Sequence, residues 1–135
     1  MMRDGLRVAG FDGRAPQAGG WNRLPVPLVY AGVRPDVWGV ALDEPTLALG
    51  EAKTRGDIDN EHTRRQLRVF GALRVRGEQK LCTLYVATLS SSACVMDAVL
   101  RELGLLGASH VVRLYMPDCM IHAPWRLEGS ECYDT

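Results

Sequence analysis

The chain has 135 residues, of which 47% are hydrophobic and 24% are charged, a composition typical of a single globular domain. Its 16 basic and 16 acidic side chains give a formal net charge of zero, which argues against a protein that coats nucleic acid indiscriminately. No apolar run reaches the roughly 18 residues that a membrane-spanning helix needs, and the N-terminus does not resemble a signal peptide. We therefore expect a cytoplasmic protein with no membrane partner.

The four cysteines have no Cys-x-x-Cys spacing, which argues against a structural zinc site. Cys82 lies in an apolar run and Cys94 on a predicted helix, where a free cysteine behaves as a small buried hydrophobe. This usage favours a reducing compartment over a disulfide framework.

Charge is distributed unevenly along the chain. Residues 1–34 carry five Arg and two Asp, and residues 53–80 carry eight basic and four acidic side chains, whereas residues 35–52 between them carry four acids and no base. An acidic centre between two basic stretches suits a metal-dependent enzyme that holds a polyanion. A well-mixed solvated surface explains the pattern equally well.

The chain divides into three segments of one domain. Residues 1–32 are rich in Gly and Pro, which predicts a largely irregular N-terminal segment with one short strand near residues 28–30. Residues 33–117 contain the regular elements and form the predicted core. Residues 118–135 form an acidic C-terminal tail.

A β-hairpin is predicted at the start of the core. Two apolar runs, 37–42 and 46–50, flank the turn-like sequence Asp-Glu-Pro at 43–45. If the turn is centred between residues 44 and 45, Trp38 faces Glu51 on the opposite strand.

The same register places three charged side chains together. Asp36 then faces Lys53, and because side chains alternate along a strand, Asp36, Glu51 and Lys53 share one face at the open end of the hairpin. Residues opposite each other lie roughly 4.5–5.5 Å apart, close enough for two carboxylates and an ammonium to share a divalent cation and a phosphate. The alternative for Glu51 and Lys53 is an exposed charged pair on an edge strand.

Pro35-Asp36, followed by Glu51-Ala52-Lys53, resembles the PD-(D/E)xK signature of the restriction-endonuclease-like nuclease superfamily. The resemblance covers residues 33–116, since the hairpin, the next helix and the strand–helix unit after it occur in the family's order. It implies a Mg²⁺ or Mn²⁺ ion held by Asp36, Glu51 and the backbone carbonyl of Ala52. It also implies that Lys53 orients the attacking water and stabilises charge on phosphorus.

A helix is predicted from residue 61 to about residue 73, capped by Asp59 or Asn60. Leu67, Phe70 and Leu73 form its buried stripe. Gln66-x-x-x-Phe70 resembles the Gln-x-x-x-Tyr element of some members of the superfamily, which implies that Gln66 helps to orient the site and that the aromatic hydroxyl is missing. An ordinary exposed glutamine is the alternative.

Four arginines lie on or before this helix and are candidates for nucleic-acid contacts: Arg55, Arg64, Arg65 and Arg68. Such side chains contact phosphates and position a duplex without reading its sequence. A solvated helical face explains them almost as well. The single His62 at the start of the helix is expected to be incidental.

A strand–helix–strand unit completes the core. Residues 80–89 are nearly all apolar, as in a central strand covered on both faces; a serine run at 90–92 can cap the following helix, and residues 110–116 form a second buried strand. No His or acid pattern accompanies the serines, so capping explains them better than nucleophilic catalysis. The expected fold is α/β, with a mixed sheet of about four to five strands (a hairpin plus a βαβ unit), helices on both faces and a restriction-endonuclease-like core.

The resemblance implies metal-dependent hydrolysis of DNA phosphodiester bonds, in repair, recombination or defence. Related nucleases usually open with a helix that often supplies a further carboxylate, but only Asp4 and Asp12 precede Asp36 in this chain. We therefore expect a homodimer, in which a partner completes the fold. The same departure favours the alternative, a catalytically inactive nucleic-acid-binding or assembly module on the same fold. A chance motif on an unrelated α/β domain is the third reading.

Overall fold

The computed structural model describes residues 5–11, 27, 29–41 and 46–118, which form an α/β fold with a five-stranded sheet and two helices. The strands are β1 (Leu6–Phe11), β2 (Val37–Ala41), β3 (Leu47–Lys53), β4 (Thr83–Leu89) and β5 (Val111–Met116), and the helices are α1 (Glu61–Ala72) and α2 (Ala93–Glu102). The strands lie side by side in chain order. β1, β2 and β3 are antiparallel, and β3, β4 and β5 are parallel, which confirms the predicted mixed sheet.

β1 was not predicted, and its presence shows that residues 1–32 are not irregular throughout. The pairing of β1 with β2 shifts register between Val8 and Gly10, so one extra residue forms a bulge. That bulge interrupts the period-two pattern by which a strand is recognised. Near the short strand predicted at residues 28–30, Tyr30 makes one isolated bridge with Val33, and residue 28 lies outside the described part of the chain.

The β2–β3 hairpin is confirmed, but its predicted register is wrong by two residues. Trp38 pairs with Leu49 and not with Glu51. The reason is the length of the connection between the strands. Ala41 N donates to Thr46 O at 3.1 Å, and the four residues between these two lie outside the described part of the chain. A shift of two residues leaves every side chain on its original face, because the alternation has a period of two.

Both helices pack on one face of the sheet, so the prediction of helices on both faces is wrong for the described chain. β3–α1–β4 and β4–α2–β5 are successive parallel crossovers that progress in the same direction across the sheet. Crossovers of the usual right hand that progress in one direction place their helices on the same face. The core on this face includes the following buried side chains: Leu49, Leu67, Phe70, Leu84, Val86, Met96, Val99 and Leu100.

The two helices begin differently. α1 starts as predicted, with Asn60 Oδ1 accepting a hydrogen bond from Thr63 N at 2.8 Å. The serine cap predicted for α2 does not form, because Ser90–Ser92 is a short 3-10 helix and Ser92 makes no side-chain cap. Instead, Ser90 Oγ donates to Met116 O at 3.2 Å, which ties the start of α2 to the end of β5.

The predicted burial of Cys82 and Cys94 is only partly correct. Cys82 is buried and unpaired just before β4, whereas Cys94 is unpaired but exposed, because α2 turns Met96, Val99 and Leu100 towards the sheet. The other two cysteines lie outside the described residues. Neither α1 nor α2, the helices of the described chain, has the length and apolar character needed to cross a bilayer.

Candidate active site

The site lies where β3 extends beyond the end of β2. β2 begins one residue after Asp36 and runs antiparallel to β3, so the last residues of β3, up to Lys53, have β4 on one side and no β2 partner on the other. Asp36 occupies the vacated side: its Oδ2 accepts from Ala52 N at 2.8 Å, and its own N donates to Gly50 O at 3.0 Å. The end of one strand therefore places this carboxylate beside the next strand.

Glu51 is the buried centre of the site. It is 3% exposed, and its Oε1 accepts from Lys53 Nζ and from Gln66 Nε2, both at 2.9 Å. Its Oε2 makes a longer contact of 3.3 Å with Asp36 N. Burial is the first cause that raises the pKa of Glu51, and the Asp36 carboxylate raises it further, whereas the Lys53 ammonium lowers it.

Gln66 links the ammonium to the buried carboxylate. Its Oε1 accepts from Lys53 Nζ at 2.6 Å while its amide donates to Glu51, so each of the three side chains is fixed by the other two. Gln66 is buried and is not the exposed helical glutamine that was the alternative. Asp36, Glu51, Lys53 and Gln66, singled out in the sequence, therefore lie in one connected cluster.

Thr88 is a neighbour of the site that sequence reasoning missed. It pairs with Lys53 across β3 and β4, is buried, and donates from Oγ1 to Lys53 O at 3.0 Å. A threonine near the end of a largely apolar strand was the only available signal.

A tight turn shortly before Asp36 is anchored to α1. Tyr30 and Val33 exchange backbone hydrogen bonds of 2.7 and 2.9 Å, and the two residues between them, Ala31 and Gly32, have φ values of 50° and 80°. Arg65 donates to Ala31 O at 2.8 Å. The same helix that carries Gln66 thus anchors the segment leading to Asp36.

Three of the four predicted nucleic-acid contacts are already engaged within the protein. Arg64 pairs with Asp59 at 2.6 Å and with Glu102 at 2.8 Å, and Arg68 pairs with Glu61 at 3.2 Å. Arg65 holds the turn described above. Of the four, only Arg55 makes no hydrogen bond or ion pair with another described residue. It lies in the 3-10 helix Arg55–Asp57 directly after β3.

The donor set of the site consists of hard oxygens. Asp36 and Glu51 supply two carboxylates, and the carbonyl of Ala52 points to the Asp36 side because a strand residue directs its N–H and C=O to the same neighbour. Mg²⁺ is commonly bound by one or two carboxylates, with waters and phosphate oxygens completing its octahedron. No group of three or more His, Cys, Asp or Glu side chains suited to a metal occurs in the described ranges, and Asp4 and Asp12 lie outside them.

No protein-family model, no curated protein and no solved structure matches this chain. We therefore base the functional proposal on the contacts above.

Proposed function

We propose that this chain is a Mg²⁺- or Mn²⁺-dependent deoxyribonuclease of the PD-(D/E)xK type, built on a restriction-endonuclease-like core. The observation that carries the proposal is the buried cluster in which Lys53 and Gln66 hold one oxygen of Glu51, beside the Asp36 carboxylate. A structural ion pair needs only one carboxylate. The second carboxylate, that of Asp36, lies at the same end of the hairpin, and two carboxylates together suit a divalent cation.

Asp36 and Glu51 would hold the cation, with the Ala52 carbonyl as a third oxygen. Lys53 and Gln66 both bind Oε1 of Glu51, so Oε2, with its single 3.3 Å contact, is the oxygen placed to turn towards a metal. Burial, and then repulsion from the Asp36 carboxylate, raises the pKa of Glu51, and a cation held by these two residues would relieve that repulsion. When bound, the ion supplies charge neutralisation at the phosphate and acidifies a bound water.

Lys53 is the residue expected to act on the reacting phosphate. Its side chain is 11% exposed, so the ammonium lies at the boundary between the buried network and solvent. Gln66 and Glu51 fix its position before substrate arrives, which reduces the reorganisation needed when negative charge builds on phosphorus. Thr88 holds the Lys53 backbone and therefore positions it.

Arg55 is the arginine expected to contact a DNA phosphate. It is exposed and follows Lys53 by two residues, so a backbone phosphate at the site lies within reach of a long side chain. Arg64 and Arg68 would have to leave carboxylates to do the same. The proposed DNA contact therefore involves one arginine and not all four that the sequence suggested.

One observation favours the alternative of a catalytically inactive nucleic-acid-binding module. Lys53, Glu51 and Gln66 satisfy one another without a metal, as a purely structural network would. Buried polar networks that are fully satisfied can serve to rigidify a core. Cleavage and binding must therefore be measured separately.

The test incubates the full chain with supercoiled, linear, single-stranded and branched DNA, with and without Mn²⁺. We expect cleavage only with the metal, and a loss of about 10²–10³-fold or more in Asp36→Asn and Lys53→Met. Lys80→Met is the matched control, because Lys80 is exposed and its side chain makes one hydrogen bond with a described residue, to Thr46 Oγ1. Salt-sensitive binding without cleavage would select the inactive module. Absence of both cleavage and binding would contradict both functions.

A further inference from the structure

β5, which the sequence predicted as a buried strand, is instead an edge strand of the described sheet and exposes an unusual amount of apolar surface. Leu114 and Met116 are each 45% exposed, and Tyr115 is also exposed. Within the described ranges, Val29 is the one other large hydrophobic side chain with comparable exposure. An edge strand also presents unpaired backbone N–H and C=O groups, which can pair with a further strand.

The two edges of the sheet differ in how well they are protected. β1 carries a bulge between Val8 and Gly10, and a bulge twists an edge away from a new partner. β5 pairs with β4 without interruption over its full length. Its one charged side chain, Arg113, is already paired with Asp97 on α2, so β5 itself carries no unpaired charge that would protect this edge.

We propose that two copies of this chain pair antiparallel through β5, about a two-fold axis at Leu114, and form one continuous ten-stranded sheet. The sequence of β5 indicates that its partner strand is β5 of a second copy. Reversed about Leu114, its pattern places apolar residues opposite apolar residues and a cation opposite an aromatic ring. A second copy therefore supplies a complementary strand.

The register follows from the direction of the backbone groups. Leu84 N donates to His110 O at 2.8 Å, so the even-numbered residues of β5 direct their backbone N–H and C=O groups towards β4. The odd-numbered residues, among them Arg113 and Tyr115, direct their backbone N–H and C=O groups outwards from the sheet edge. Outward residues must therefore lie opposite each other in the dimer. A register centred on Arg113 would oppose two like charges, and one centred on Tyr115 would place the apolar Val112 opposite the partner's Asp118 carboxylate.

The register centred on Leu114 places Arg113 opposite the partner's Tyr115. The chain already makes this kind of contact internally, since Arg113 Cζ lies 5.5 Å from the centroid of its own Tyr115 ring, within cation–π range. On the sheet face away from the helices, Leu114 lies opposite the partner's Leu114, and Val112 opposite the partner's Met116. The side chains that are exposed in one copy thereby cover one another.

Strand pairing of this length forms a small interface, below about 1,200 Å² in total, of the kind found in weak complexes. We therefore expect a reversible dimer whose population depends on concentration. Sedimentation velocity of the full chain from about 1 to 200 µM should show a monomer–dimer equilibrium. Leu114→Lys should shift it to monomer, whereas the matched control Val29→Lys should not. A monomeric wild-type chain, or a dimer that tolerates Leu114→Lys, would overturn the proposal.

Disulfide trapping tests the register independently. In a chain carrying Cys94→Ser, Cys119→Ser and Cys132→Ser, Leu114→Cys places two thiols in a pair with Cα atoms about 4.5 Å apart, within the range of roughly 4.4–6.8 Å that a disulfide spans. We expect a covalent dimer on mild oxidation. Met116→Cys should not cross-link to itself, since it lies opposite the partner's Val112. Preferential cross-linking of Met116→Cys would show that the proposed pairing is wrong.

Discussion

The Lys53→Met substitution removes the counter-charge of Glu51 while retaining an apolar side chain of similar length. Removing one partner of a fully buried ion pair costs about 3–5 kcal/mol. Lys53 is 11% exposed, and two uncharged donors still reach Glu51, so we expect a smaller loss of about 2–3 kcal/mol in the free energy of unfolding near pH 7.5. Urea denaturation followed by circular dichroism measures it.

The loss should depend on pH in a direction that the site determines. The pKa of Glu51 is raised in the fold, chiefly by burial, so its contribution to stability is fully present below the unfolded pKa and is lost as pH rises through the folded pKa. Lys53 opposes that rise, and its removal enlarges the loss at neutral pH. Near pH 4.5, where protonation of Glu51 is favoured, the loss should fall to about 1 kcal/mol, that of one hydrogen bond.

The control is Lys80→Met, which should change stability by less than about 0.5 kcal/mol at either pH. An equal loss for Lys53→Met at both pH values would show that the ammonium does not act through an ionised Glu51. A loss no larger than that of the control would show that the pair is not formed in solution.

Two further substitutions test the arginine assignment and the helix packing. If DNA binds, Arg55→Ala should reduce the slope of log affinity against log salt by about one, whereas Arg64→Ala should leave the slope unchanged because its ion pairs hold it. Gly71→Ala should lower the free energy of unfolding: its Cβ would lie 2.8 Å from Leu105 Cδ2, and overpacking of about 1–3 kcal/mol exceeds the gain of about 1 kcal/mol in helix propensity. Gly56→Ala is the control, since a Cβ there meets nothing within 4 Å, and a greater loss for Gly56→Ala would contradict this packing.

The grouping of the charged residues was predictable even though the hairpin register was not. Glu51 and Lys53 are two residues apart, so they share one face of their strand. Asp36 on the opposite strand stays on that face when the register shifts by two residues. Register itself depends on the connecting turn, whose sequence is compatible with more than one centre. The grouping of these three residues was therefore predicted from periodicity, whereas Gln66 was singled out from the resemblance.

The remaining errors concern features that the sequence of a single strand does not determine. β1 was missed because a bulge breaks its alternation, and the position of both helices on one face depends on β3 pairing parallel with β4. Thr88 gained its contact with Lys53 through that same pairing. Apolar runs reveal that strands exist, but the order of strands in a sheet is a property of the whole fold.

The most direct test of the site is a calorimetric titration of the full chain with Mn²⁺. We expect binding by the wild-type chain and by Lys53→Met, and no binding by Asp36→Asn or Glu51→Gln, because the two carboxylates hold the ion and the ammonium does not. A wild-type chain that binds no Mn²⁺, or an Asp36→Asn chain that binds it as tightly as the wild type, would contradict the proposed metal site.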